Sequence, residues 1–214
     1  MKNLILPLII LISFTCFGQE GYTEWELKKE KEGIKAHTRK RPGIKFNEYL
    51  VEATIEADFN QLMAVFKDFD SYTSIFPGTE DAKVLLDEGN KYVTYIKFDI
   101  PFPARDRDAV FKNEMSFDKD ERILAIDVQC DPDEYKSNDK LIRITFCEGG
   151  WEFKDIGNGE IAIRHNLIVD PAGMAPAFIV NTKTVDDPIK TIQSLREKIG
   201  NAKYEGHDFE LFRE

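Results

Sequence analysis

From Phe46 to Glu56 apolar and polar side chains alternate. Tyr49, Val51, Ala53 and Ile55 fall on one face, and Glu48, Glu52 and Glu56 on the other. A period of two predicts a half-buried β-strand. The pattern recurs over Arg107–Phe117, where Ala109, Phe111, Asn113, Met115 and Phe117 oppose Lys112, Glu114 and Ser116. Trp25–Lys31 and Ile34–Arg39 predict a hairpin about Gly33. Further strands are predicted at Ala82–Asp87, Tyr92–Ile100, Ile123–Cys130, Lys140–Phe153 and Ile161–Asp170. Asn158-Gly159 is a strong hairpin turn. Pro101 and Pro103 stop the strand before them, because proline cannot donate to a ladder.

The period changes in two places. After Asp58, a natural cap, Phe59, Leu62, Met63 and Phe66 recur at helical spacing. Residues 68–78 read as an irregular, aromatic-rich segment. Ala175–Ile199 reads as one long helix with the stripe Phe178, Val185, Ile189, Ile192 and Ile199. Pro188 interrupts its hydrogen bonding and Gly200 ends it. The tail after Gly200 is expected to be loosely attached. Many antiparallel strands before one long helix predict an α+β fold, a curved sheet wrapped around that helix. The strands' inner faces carry more apolar surface than one helix stripe covers, so an internal cavity is expected between them, and such cavities are ligand sites.

The first 18 residues, MKNLILPLIILISFTCFG, carry one charge, Lys2, an apolar run from Leu4 to Phe14, and small residues at Cys16 and Gly18. This is the pattern of a signal peptide cleaved near Gly18/Gln19. The run is shorter than the ~20 residues a membrane-spanning helix needs. The bulky Phe14 argues against a lipoprotein signal ending at Cys16. The expected organisation is a signal peptide at 1–18 and a domain at 19–214 that is secreted or periplasmic. Removing 18 of 214 residues leaves 196, enough to bury a large core. The 29 basic residues become 28 against 39 acidic, a net charge of −11. That balance disfavours nucleic acid, which needs basic patches, and opposes anionic membranes at long range.

The order and spacing of several segments resemble the StAR-related lipid-transfer (START) family of helix-grip proteins. The likeness runs from about Trp25 to Ile199. It is carried by Trp25-Glu26-Leu27 with Gly33–Arg39, by Pro101-Phe102-Pro103-Ala104-Arg105-Asp106-Arg107-Asp108-Ala109-Val110, by Arg143 and Gly150-Trp151, and by Asp170-Pro171-Ala172-Gly173-Met174-Ala175-Pro176 with Val180-Asn181. The resemblance implies a lipid or sterol-like molecule held in the cavity, with the proline loop and the C-terminal helix as gate, and no cofactor. Two departures bear on ligand identity. Asn113 stands at the inward position where some sterol-binding members carry an arginine–acid pair, and Ile75-Phe76 replaces a common tryptophan.

Alternation nominates Val51, Ala53, Phe111, Asn113, Met115 and His165 as the cavity wall, closed by Phe178 and Ile189. Arg143 joins them if its side chain points inward. Phe102 and Arg105 are the candidate gate residues, and with Lys183 they are candidates for transient membrane contact. His165 reads either as a headgroup contact or as a core histidine bonded to a backbone carbonyl. Arg107 and Asp108 read as a pair pinning the proline loop. Cys130 and Cys147 allow a disulfide in an oxidising compartment, but two small buried thiols are the favoured reading because disulfide geometry is demanding. No nucleophile elbow, metalloprotease pair or phosphate loop is present in the sequence. The expectation is therefore a binding protein, not an enzyme. The alternatives are a helix-grip cyclase or hydratase using His165 with a neighbouring acid, and an interaction module whose cavity is filled by its own side chains.

Overall fold

The computed structural model describes residues 21–102, 104–136 and 138–213; the expected signal peptide and Pro103 lie outside them. Ten strands form one sheet: β1 (Glu26–Lys31), β2 (Ile34–Lys40), β3 (Asn47–Glu56), β4 (Thr79–Asp87), β5 (Lys91–Phe98), β6 (Arg107–Asp118), β7 (Ile123–Cys130), β8 (Ile142–Arg143), β9 (Phe146–Gly157) and β10 (Glu160–Asp170). Their order is β1-β2-β3-β10-β9-β7-β6-β5-β4, and the short β8 pairs in parallel with β6. Between β3 and β4 lie α1 (Phe59–Lys67) and a one-turn helix, α2 (Tyr72–Ile75). The curved sheet wraps the C-terminal helix α3 (Ala177–Ile199). No helix among the described residues is long and apolar enough to cross a membrane.

Local chemistry explains the elements. Asp58 and Gln61 form a reciprocal capping box at the start of α1, each side chain bonding the other residue's backbone N–H. The apolar face of α1 then buries Phe59, Leu62, Met63 and Phe66 in the main core. Facing residues of neighbouring antiparallel strands share a face. One such inner row runs Val51, His165, Trp151, Ile126 and Met115. A second runs Ala53, Ile163, Phe153, Leu124 and Phe117. At Gly150 a Cβ would come within 2.5 Å of the Ile126 carbonyl oxygen, and at Gly149 within 2.7 Å of Leu167 Cα. Only glycine fits there, because the strands approach too closely for any side chain.

Three expectations are corrected. The strand predicted at Lys140–Phe153 is two elements, β8 and β9. In the segment before β8, Tyr135 packs on Tyr95 beside Val93 and Val110 on the sheet's outer face. Cys130 and Cys147 are bridged rather than free, their Cα atoms 5.0 Å apart on the neighbouring strands β7 and β9. The tail is anchored. Phe212 stacks on Phe59, Phe209 N donates to Asn60 Oδ1 at 2.8 Å, and Tyr204 is buried.

The tail's polar anchor is Asp68, which accepts from Ser71 Oγ (2.5 Å), Tyr204 OH (2.6 Å) and Lys203 Nζ (2.7 Å). Burial alone would raise the Asp68 pKa, but these bonds outweigh it and hold the carboxyl at about 2. A carboxylate held below its ordinary range stabilises the fold above that range, and the contribution is lost as pH falls through about 4 towards 2. Asp68→Asn should cost about 1–2 kcal/mol at pH 7, or roughly 4 °C in melting temperature for a chain of this size. The difference from the parent protein should shrink on acidification towards pH 2. Thermal melts of both proteins across that range check this.

Candidate functional site

The long helix packs unequally. The helix lies against β1, β2, β3, α1 and α2, and its C-terminal half buries Pro188, Ile189, Thr191, Ile192, Leu195 and Ile199. No residue from Ala177 to Asp187 is buried. Phe178 is 74% exposed and Ile179 is 46% exposed. The boundary between the halves falls at Pro188, which leaves the Thr184 carbonyl without its intrahelical donor. The N-terminal half is held at a few points: Asn47 N donates to Asn181 Oδ1 at 3.1 Å, and Lys29 pairs with Asp186 at 2.7 Å.

Three segments converge at the free end of α3. Ile142 N donates to the Asp106 carbonyl at 3.0 Å, which ties residues 138–142 to the end of the proline loop. Arg105 donates to the carbonyls of Asp139 (2.5 Å) and Leu141 (3.2 Å). A Cβ at Gly173 would lie 3.1 Å from Ile142 Cδ1, so the strand-to-helix junction abuts the same place. At this end Phe102 is 96% and Met174 is 98% exposed. Phe102, Met174, Phe178 and Ile179 thus leave large apolar side chains in water around one end of the fold, where a contiguous patch would mark an interaction site.

The nominated residues fall into distinct places. Val51, Met115 and Ile189 are fully buried core, and His165 is buried beside them. Ala53, Phe111 and Asn113 are half-buried on the inner face. The Asn113 amide donates to the main-chain carbonyls of Phe111 and Tyr92, and Phe111 meets Phe98 edge to face. Phe102 and Phe178 are exposed. Arg105 is a tether as well as a loop residue. Two open depressions, a groove of about 380 Å³ between α2 and α3 and a trough of about 620 Å³ beside Trp25, Gly149 and Arg164, contain none of the nominated residues.

Arg143 is not on the inner face. Its Nε and Nη2 donate to the two Asp108 carboxylate oxygens at 2.9 and 2.8 Å. Its Nη1 donates to the carbonyls of Pro132 (2.6 Å) and Tyr135 (2.9 Å). It therefore clamps residues 132–135 onto the outer face. Alternation also separates Arg107 from Asp108. Asp108 turns outward to Arg143, and Arg107 turns inward in register with Phe98. The expected Arg107–Asp108 pin is an Asp108–Arg143 pin.

His165 has both ring nitrogens engaged. The Gly150 carbonyl can only accept, so Nδ1 carries the proton and donates to it at 2.8 Å. Nε2 then accepts from the Tyr49 hydroxyl at 2.7 Å. The ring stacks on Trp151 with centroids 3.6 Å apart. Burial lowers its pKa to about 3, the Gly150 bond opposing that only in part, so it stays neutral at physiological pH. Of the two readings of His165, the geometry is that of the carbonyl-bonded core histidine. Its partner Tyr49 escaped nomination, although it lies on the same alternating face as Val51. Arg107 and Thr79, both buried on the inner face, escaped too. The period of two through Ala109, Phe111 and Asn113 already placed Arg107 inward.

Residues 55–183 match the family described as polyketide cyclase/dehydrase and lipid transport. An uncharacterised protein of Pseudomonas aeruginosa is 26% identical over 195 residues, 90% of this chain and 96% of its own length. The crystal structure of a STAR-related lipid transfer protein from Xanthomonas axonopodis superposes with a TM-score of 0.77 at 21% identity, covering 83% of this chain and 99% of that one. Human StAR-related lipid transfer protein 5 superposes with a TM-score of 0.68 at 12% identity, covering 82% and 86%. The chain belongs to the polyketide cyclase/dehydrase and lipid transport family and has the START-type helix-grip fold.

Proposed function

We propose that this protein binds a lipid or sterol-like molecule between the concave sheet face and the N-terminal half of α3, outside the cytoplasm, and carries it without covalent chemistry. The carrying observation is the unequal packing of α3. A helix that buries one half and leaves apolar Phe178 and Ile179 in water is poised to move about Pro188. The deep end of the fold is filled by its own side chains, so room for ligand comes from the free end. There half-buried Phe111, Leu167 and Val185 border the main core. Exposed Phe102, Met174 and Phe178 suit brief contact with a membrane surface. The Cys130–Cys147 bridge supports an oxidising compartment, in keeping with the signal-peptide pattern.

A cyclase or hydratase would need a free base beside a second acid–base group. His165 offers neither a free nitrogen nor a neighbouring carboxylate among its hydrogen-bond partners, which favours carriage over catalysis. Organic extracts of the protein purified from the extracytoplasmic fraction should contain an amphiphile in near-equimolar amount by mass spectrometry. Protein that extracts clean and takes nothing up from lipid vesicles would overturn this reading.

A further inference from the structure

Two buried polar atoms without hydrogen-bond partners share one row of the sheet. They are Thr79 Oγ1 and Arg107 Nε. Thr79 pairs with Phe98 and Phe98 pairs with Arg107, so all three side chains lie on one face. That face is the inner one, since Arg107 alternates in phase with Phe111 and the core residue Met115. Two strand spacings separate Thr79 from Arg107, roughly 10 Å between Cα atoms. A long guanidinium and a short hydroxyl can therefore address one group lying over Phe98. The row stands at the free end of α3, because β8 brings Ile142 beside Arg107 and Gly173 abuts Ile142.

Arg107 is a misfit among core side chains. It is 4% exposed, and among the described residues its guanidinium donates only to the Arg105 carbonyl, with no carboxylate in ion-pair range. The adjacent Asp106 is engaged elsewhere, accepting from Ile100 N at 3.1 Å and facing Lys97 at 3.8 Å. Burying an unpaired charge is costly, and leaving a buried hydroxyl unbonded adds to that cost. The third orphaned atom, His37 Nε2, differs in kind, since Glu52 lies 3.3 Å from it. A guanidinium can only donate, so whatever completes this row must accept, and a bound anion would also supply the missing countercharge.

We infer that Arg107 and Thr79 form a headgroup subsite for an amphiphile with a carboxylate or phosphate head, its tail running inward past Phe98 and Phe111. This rests on the binding function proposed above and names the ligand class for it. The arrangement puts the head at the free end of α3 and the tail against the half-buried aromatic wall. Phe102, which would meet a bilayer first, lies in the loop leading directly into Arg107.

Calorimetric titration of the full chain with oleate, oleyl alcohol and inorganic phosphate tests it. Oleate should bind at least tenfold tighter than oleyl alcohol. Arg107→Gln should abolish that preference through loss of oleate affinity, and Arg107→Lys should restore part of it. Thr79→Val should reduce the preference two- to fivefold without loss of folding, since it deletes a hydroxyl that has no partner; it serves as the test if Arg107→Gln does not fold. Equal affinity for oleate and the alcohol, or a preference unchanged in these variants, would overturn the subsite and leave apolar binding intact. Failure of both long-chain probes to bind would overturn the binding function itself. Arg107-dependent binding of inorganic phosphate with no gain from an oleyl chain would overturn the amphiphile assignment in favour of a free oxyanion.

Discussion

Replacing Arg143 by methionine should lower the stability of the fold by about 3–5 kcal/mol, because it strands the Asp108 carboxylate in a buried site. The Asp108 side chain is 1% exposed and that of Arg143 is 11% exposed. All of the guanidinium's bonds described above hold Asp108 and residues 132–135. For a chain of this length the loss corresponds to a melting temperature lower by roughly 10 °C. The double variant Asp108→Leu/Arg143→Met should recover most of it, since a well-packed apolar pair removes the stranded charge along with its partner. Thermal and urea unfolding of the three proteins decide the matter. A single variant that melts like the parent but loses ligand would return Arg143 to the cavity, against the geometry of the outer face.

Arg143 also marks where sequence reasoning ends. Alternation located the strands and the helix because each half-buried strand must segregate its faces, and a one-residue slip would turn every side chain over. The period of two was thus enough to place Val51, Met115 and His165 inward. It could not place Arg143, whose two-residue strand is too short to show a period and pairs in parallel with β6. The pairing that brings Cys130 beside Cys147 depends on register across β7 and β9, which local pattern does not contain. The tail is the plainest oversight. Tyr204, Phe209 and Phe212 are large aromatics in or beside two single-turn 3-10 helices too short to show a period, and the core edge at Phe59 and Asp68 receives them.

The candidate site was legible as a face but not as a place. Hydrophobic pattern ranks positions by burial and does not separate solid core, where Val51, Met115 and Ile189 lie, from the half-buried inner face, where Ala53, Phe111 and Asn113 lie. In the proposed function the ligand wall is made of such half-buried residues, Phe111, which alternation nominated, and Leu167, which it did not. The residues with unmet hydrogen-bonding capacity, Arg107 and Thr79, are polar and carry no apolar signal.

In the proposed function, ligand enters when the N-terminal half of α3 moves away from the sheet about Pro188. The Asn47–Asn181 contact is the natural point for a lock, because Asn47 N and Asn181 Oδ1 are 3.1 Å apart where β3 meets the unburied half of the helix. Cysteines at both positions, with the Cys130–Cys147 bridge kept, allow the helix to be fastened and released by mild reduction. The measurement is the rate at which a fluorescent fatty acid passes from donor vesicles through the protein to acceptor vesicles. Exchange should be at least a hundredfold slower in the oxidised protein and return to the parent rate on reduction. Equal rates in the two states would show that the N-terminal half of α3 is not the gate.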